Sequence, residues 1–325
     1  MKAVTYTEYG PPEVLSVSEV DRPELKSGEI LVRNKAAEAT KADCEMRSFQ
    51  FPVKWFWVPL RIAFGVFRPR RQILGGYFAG EVEEVGDGVS RFAPGDAVFG
   101  NTGFRFGAYG QYLALPEDGT IATRPANMSF EEAAAVPLGG LNALHFMRRA
   151  KLSPGDKVLV NGAGGSIGAH AVQIAKSMGA EVSAVDSGIK RDFLLGLGAD
   201  VFFDYAVDDF GAEGRTFDVI FDMVAGSSFS RCINALKPGG RYLSGNPRLS
   251  VMLRCLLTSA FTDKTCSFAF ARESVEELTT LRDMIEAGSI RSIVDRVLPM
   301  EEAPAAHRLV ETEQRIGAIV LAIST

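Results

Sequence analysis

Cysteine, histidine and tryptophan are scarce. The 325 residues hold four cysteines, three histidines and two tryptophans. Cys44, Cys232, Cys255 and Cys266 form no CxxC pair, which excludes a disulfide scaffold and a four-cysteine zinc lobe and suits a reducing compartment. Positive charge is not in excess either. A net charge of −5 and a pI near 5.5 argue against a nucleic-acid footprint. No apolar stretch follows Met1-Lys2-Ala3-Val4-Thr5-Tyr6, so no secretory signal is expected and the chain reads as cytoplasmic. Repeats and low-complexity tracts are lacking. What is present is ordinary: 46% apolar and 23% charged residues exclude wholesale disorder. The length exceeds the roughly 250–300 residues at which a single core stops growing, so two domains are expected.

Residues 1–123 read as strands punctuated by turns such as Gly10-Pro11-Pro12, Gly86-Asp87-Gly88 and Ala93-Pro94-Gly95-Asp96. The pattern then changes. Ser129 and Glu132 form a capping-box helix start. From Lys157 strands alternate with helices, which predicts βαβ units and a parallel sheet covered on both faces, within a domain taken as 124–271. Glu273–Ala287 reads as a helix closed by Gly288. Ile316–Ile323 reads as a strand returning to the first domain, which would then comprise 1–123 and 272–325.

The most informative stretch runs from Lys157 to Lys176. A buried strand enters the turn Gly162-Ala163-Gly164-Gly165-Ser166-Ile167-Gly168, which opens a helix. GxGxxG begun at Gly162 fails, because Ile167 stands last. Ala163-x-Gly165-x-x-Gly168 fits the A-x-G-x-x-G form. A small residue makes the turn, Gly165 admits a pyrophosphate, and Gly168 lets helix pack on strand. The helix N-terminus offers unpaired N–H groups and positive dipole. Asp186 ends the next strand, eighteen positions after Gly168, where a group facing the adenosine ribose is expected. These features point to a dinucleotide. Asp186 favours NADH; Ser187, Lys190 and Arg191 favour the 2′-phosphate of NADPH, although Lys190 and Arg191 also read as a solvated helical turn. NADPH is the preferred cofactor and NADH the alternative.

Further motifs run along the chain in one order: Gly80-x-Val82-x-x-Val85-Gly86-x-x-Val89-x-x-Phe92-x-x-Gly95-Asp96-x-Val98-x-Gly100, Gly107-Ala-Tyr-Gly-Gln-Tyr112, Ala134-Ala-Val-Pro-Leu-Gly-Gly140, Leu197-Gly-Ala-Asp200, Phe217-Asp-x-x-Phe-Asp222 and Leu236-Lys-Pro-Gly-Gly240. Together they resemble the zinc-independent, quinone oxidoreductase-like medium-chain dehydrogenases/reductases. The resemblance implies an α/β fold: a Rossmann doubly wound parallel sheet domain plus a GroES-like β-barrel catalytic domain, the active site in the cleft between them, and a homodimer.

Zinc-dependent relatives carry Gly-His-Glu where this chain has Gly75-Gly76-Tyr77, and a cysteine near the segment that here reads Thr40-Lys41-Ala42-Asp43. His145, His170 and His307 have no partner at ligand spacing, so no metal is expected. Hydride transfer to a plain ketone builds an alkoxide that calls for a Lewis acid. A quinone or α,β-unsaturated carbonyl spreads that charge and needs only hydrogen-bond donors. A small apolar quinone or enone is therefore the expected substrate. A metal-free alcohol or aldehyde oxidoreductase and a nucleotide-binding interaction protein with little turnover are the alternatives.

By the same resemblance, Thr40 and Tyr77 are the candidate catalytic residues, Thr40 as donor to the substrate oxygen and Tyr77 as proton donor. Local capping for Thr40 and a core role for Tyr77 are the structural alternatives. Asp43 and Arg47, four apart, would pair on a helix. Asn142, near the nicotinamide, and the strand ends Val224, Ala225, Ser244, Gly245 and Asn246 are further cofactor candidates, as is Tyr205 beside the adenosine. The aromatic segment 51–67, followed by Arg68-Pro69-Arg70-Arg71, is too interrupted for a stable membrane span; lid, dimer surface and membrane-resting patch are its readings, the first two preferred. Ser250–Phe261 is apolar and would cover the same cleft.

Overall fold

A computed structural model describes all residues except 52–56, 213, 246–247, 269–270, 272 and 324–325. Two compact units emerge: Met1–Leu138 with Ser274–Glu286 and Ser292–Thr325, and Gly139–Glu273 with Ala287–Arg291.

The first unit is built on strands. β1 (Lys2–Thr5) and β2 (Ser16–Glu19) form an antiparallel ribbon. β3 (Glu29–Ala39), β4 (Tyr77–Val85), β5 (Ala97–Asn101), β6 (Tyr112–Pro116) and β7 (Ile121–Thr123) share a seven-stranded sheet with β14 (Val294–Pro299) and β15 (Ala318–Ala322). Its main path runs β14-β15-β3-β4-β5-β7, and β6 pairs with β3. The last strand does return: β15 lies antiparallel to β3, with Ile319 opposite Ala39. Alternating Ile30, Val32, Val82, Val98, Leu113, Leu115, Ile319 and Leu321 point into one core. The short helices α1 (Lys41–Ser48), α2 (Trp57–Phe64), α3 (Phe130–Ala134) and α9 and α10 (Val275–Glu286 and Ala303–Glu311) complete the unit. Ser129 and Glu132 make the expected capping box at α3.

The second unit alternates strand and helix. β8 (Lys157–Asn161), α5 (Ser166–Ser177), β9 (Glu181–Asp186), α6 (Arg191–Gly196), β10 (Val201–Asp204), β11 (Phe217–Asp222), α7 (Phe229–Asn234), β12 (Leu236–Ser244), α8 (Leu249–Phe261) and β13 (Thr265–Phe268) follow in order. α4 (Pro137–Ala150) precedes them. All pairings are parallel, in the order β10-β9-β8-β11-β12-β13. The order reverses at β8, so the carboxyl ends of β8 and β11 flank a switch point, where open α/β sheets hold ligands. Fully buried Val158, Leu159, Val160, Val219, Ile220 and Phe221 suit a sheet covered on both faces.

Candidate functional site

The glycine turn between β8 and α5 is shaped for an anion. Gly162 takes φ +85°, a left-handed conformation that glycine adopts without strain. Gly168 lets the helix sit on the turn: a Cβ there would lie 2.2 Å from the Gly162 carbonyl oxygen. Gly165 is the helix N-cap and supplies no side-chain cap, so the first N–H groups of α5 gain nothing from it. A Cβ at Gly165 would meet no atom within 4 Å. That open volume beside uncapped N–H groups is what a diphosphate needs. The hydroxyl of Ser166, in the first turn, is buried and has no hydrogen-bond partner among the described residues. The residues therefore fit a dinucleotide phosphate on Gly165, Ser166 and Ile167.

Asp186 closes one side of the turn. Its Oδ2 accepts from the Gly164 N–H at 2.7 Å and its Oδ1 from the Ser187 N–H at 2.8 Å. Lys190 Nζ lies 3.1 Å from Oδ1, with only 5% of the lysine side chain exposed. Lys190 is therefore not a solvated helical residue. It folds over Gly164, where a Cβ would strike Lys190 Cδ at 2.3 Å. Arg191, by contrast, is exposed and lies over the Phe202 ring. Tyr205 is 66% exposed beyond β10.

A residue named only as part of a motif anchors the strand ends. Asp222, at the end of β11, is buried and accepts from Asn161 Nδ2 at 2.9 Å, the Val224 N–H at 3.1 Å, Tyr242 Oη at 2.8 Å and the Ser227 hydroxyl. Burial pushes its carboxyl up, against these donors, which favour the charged form. Asp222 thus ties β8, β11 and β12 together beside the turn. Val224 is exposed and borders Gly162, with Cγ2 3.1 Å from where a Gly162 Cβ would stand. Ala225 is half-buried, Ser244 is buried, and Gly245 packs on Met223. Asn246 lies outside the described residues. Asn142 is half-buried on α4. One turn earlier, Gly139 sets α4 against α5: a Cβ there would fall 2.4 Å from His170 Nδ1 and 2.7 Å from Ser166 Oγ.

In the first unit, Thr40 caps α1. Its Oγ1 donates to Asp43 Oδ2 at 2.6 Å and accepts from the Asp43 N–H. The hydroxyl proton is thereby committed to Asp43. Asp43 Oδ1 accepts from the Gly75 N–H at 2.9 Å, and Tyr77 begins β4 two residues later, half-buried. One corner thus holds both Thr40 and Tyr77.

Asp43 and Arg47 do not pair as their spacing suggests. Arg47, buried, donates from Nε to the Gly10 carbonyl at 3.1 Å and from Nη2 to Glu311. Its Nη1 stands 3.2 Å from His307 Nδ1. Arginine only donates, so Nδ1 is the acceptor and the His307 proton sits on Nε2, 3.0 Å from Tyr109 Oη. Tyr109 in turn bonds Asp43. The line Arg47–His307–Tyr109–Asp43–Thr40 joins α10 to α1. Burial and the Arg47 charge push His307 down to about 3. Cys44 is buried, its thiol 3.7 Å from the His307 carbonyl and pushed up to about 12 by burial. Among the described residues no three His, Cys, Asp or Glu side chains gather where they would hold a metal ion.

Residues 26–125 match the family described as Alcohol dehydrogenase GroES-like domain, and residues 197–321 the family described as Zinc-binding dehydrogenase. The chain is similar to 2-methylene-furan-3-one reductase of Solanum lycopersicum, 29% identical over 99% of this chain and 79% of that one. It is similar to the chloroplastic NADPH-dependent alkenal/one oxidoreductase of Arabidopsis thaliana, 28% identical over 99% and 79%. Among solved structures, the quinone oxidoreductase from Coxiella burnetii superposes with a TM-score of 0.88 at 29% identity, covering 100% and 99% of the two chains.

Proposed function

The chain belongs to the medium-chain dehydrogenase/reductase family, whose members here are pyridine-nucleotide-dependent oxidoreductases, and from that premise we propose that it is an NADPH-dependent reductase of quinones and α,β-unsaturated carbonyls working without zinc. The observation that carries the reading is the glycine turn: uncapped N–H groups, a buried unpartnered Ser166 hydroxyl and open volume at Gly165 meet at one helix start. The reduced nicotinamide, when bound, supplies the hydride.

The protein's own residues bind and orient. The N–H groups of Gly165, Ser166 and Ile167 hold the diphosphate, and the Ser166 hydroxyl adds a donor, while the Gly164 N–H stays on Asp186. Gly162, Ala163 and Gly168 keep the turn close to the sheet. The Asp186–Lys190 pair bears on cofactor choice. A free Asp186 would repel a 2′-phosphate, but here Lys190 neutralises it and Gly164 and Ser187 occupy its oxygens, which supports NADPH over NADH. Ser187 and the exposed Arg191 lie beside the pair as further phosphate contacts. Tyr205 flanks the adenosine, while Asn142, Val224, Ala225, Ser244 and Gly245 line the nicotinamide side.

Gly75-Gly76-Tyr77 offers no histidine or glutamate to a metal, which supports the zinc-free reading. A conjugated acceptor suits such a site, because its developing negative charge is delocalised and hydrogen bonds suffice. Tyr77 is the proposed proton donor at its phenol oxygen. Thr40, whose hydroxyl donates to Asp43, orients that corner and reaches a substrate oxygen only by rotating away. We place the protein in the cytoplasm as a homodimer.

Purified protein supplied with NADPH and a panel of quinones and enals tests the proposal. Loss of absorbance at 340 nm with several members is expected; no loss with any member overturns it.

A further inference from the structure

Cys255 and Cys266 take no part in the chemistry above, yet they stand together. Cys255 faces inward from α8 and is fully buried in the core of the second unit. Cys266, on the edge strand β13, packs against that core and is half-buried. Ser259 follows Cys255 by one helical turn, so the two share a face of α8. Its Oγ accepts from the Cys266 N–H at 2.8 Å and lies 3.3 Å from the Cys266 carbonyl oxygen. One short side chain thus holds the strand backbone against the helix face that carries Cys255. The two thiols hydrogen-bond to each other.

The thiols differ in surroundings. Cys266 receives hydrogen bonds from Cys255, Ser259 and Thr258 and feels the charge of Lys264, and these draw its thiol below the ordinary range. Cys255, bonded to Cys266 and buried, is pushed up. One sulfur is thus half-buried and acidified while its neighbour is fully shielded and protonated, the asymmetry of an attacked and a resolving cysteine.

We propose that Cys255 and Cys266 form a peroxide-oxidisable dithiol that closes reversibly into a disulfide between α8 and β13. The Cys266 thiolate attacks one oxygen of hydrogen peroxide, breaking the O–O bond and releasing hydroxide, and becomes a sulfenic acid. The Cys255 sulfur then attacks Cys266, its proton leaving with the sulfenic oxygen as water. Two thiols lose two electrons in all, and one peroxide becomes two waters. Transient redox-sensing disulfides of this kind are the sort found in reducing compartments.

The test uses the full chain, reduced, desalted and treated with hydrogen peroxide, then denatured and alkylated with N-ethylmaleimide. Cleavage after Arg254 and Lys264 places the two cysteines on separate peptides. The wild type is expected to fall from four reactive thiols to two, to lose about 2 Da before alkylation, and to yield a cross-link joining those two peptides that dithiothreitol cleaves. Cys255→Ser is expected to trap a sulfenic acid at Cys266 that reacts with dimedone, and Cys266→Ser to leave Cys255 unoxidised. Four thiols surviving in the wild type, a Cys266 sulfinate without the cross-link, or a Cys266 disulfide joining two chains would each overturn the proposal, and none of these readings depends on the variants folding.

Discussion

Two glycines three residues apart separate holding the fold from holding the cofactor. At Gly168 a methyl group would sit 2.2 Å from the Gly162 carbonyl oxygen and 2.6 Å and 2.8 Å from Ala163 Cα and C. All three are backbone atoms, so the turn must retreat by about 1 Å to reach ordinary contact. Overpacking of this kind costs about 1–3 kcal/mol, a fall in Tm of roughly 5 °C at about 3 °C per kcal/mol. At Gly165 the backbone is extended (φ −85°, ψ 174°) and a methyl meets nothing within 4 Å. Gly165→Ala is therefore expected to keep the wild-type Tm. Its methyl fills the volume assigned to the diphosphate, so NADPH affinity falls at least about tenfold, or about 1.4 kcal/mol. Thermal unfolding with and without NADPH reads both effects, because ligand at about 100 times its Kd adds about 2.7 kcal/mol to the wild type. Gly168→Ala lowers the unliganded Tm; Gly165→Ala leaves it and loses about half or more of the NADPH-induced shift. A Gly165→Ala protein that is stabilised by NADPH as strongly as the wild type would refute the placement of the phosphate.

Other outcomes follow from the same geometry. His307 stays neutral in the fold down to about 3, whereas the unfolded chain takes a proton near 6.5. Its contribution is therefore intact above pH 6.5 and lost as pH falls towards 3, with an upper limit of about 5 kcal/mol at about 1.4 kcal/mol per pH unit; urea unfolding of His307→Gln should show a flatter acid limb than the wild type. Asp222→Ala strands Asn161 Nδ2, Tyr242 Oη and the Ser227 hydroxyl, costing about 3 kcal/mol and weakening NADPH binding, as denaturant and titration curves would show. Lys190→Ala uncovers the Asp186 charge, so the ratio of NADPH to NADH affinity should fall at least about tenfold by calorimetry; an unchanged ratio removes the pair from cofactor selection.

How much of this was legible in the sequence depended on how local it was. The β8–turn–α5 unit could be read from spacing alone, because one strand, one turn and one helix occupy about twenty consecutive residues. The return of β15 to β3 showed as a lone apolar strand at the end of the chain. α8 did not announce itself as a helix, because Leu249, Leu253, Leu256, Leu257 and Phe261 face outward and invert the usual amphipathic pattern. Lys190 could be read as a phosphate contact or as a solvated helical residue but not as the buried partner of Asp186, since nothing local reveals that Gly164, 26 positions earlier, leaves room for it. The Arg47–His307–Tyr109–Asp43 line was invisible for a related reason: His307 stands 260 positions from Arg47 and 198 from Tyr109. Asp43 and Arg47 have helix-pair spacing, but Thr40, Gly75 and Glu311 claim their polar groups first.

The central claim is direct hydride delivery from NADPH to an electrophilic carbon, and isotope transfer tests it most directly. NADPH carrying deuterium at C4, with each face labelled in turn, would be incubated with the protein and an acyclic enone, and the product read by mass spectrometry and NMR. One label should appear at the β-carbon of the saturated ketone from one face only. Saturated product without label from either face, or label at a carbinol carbon instead, would contradict the account.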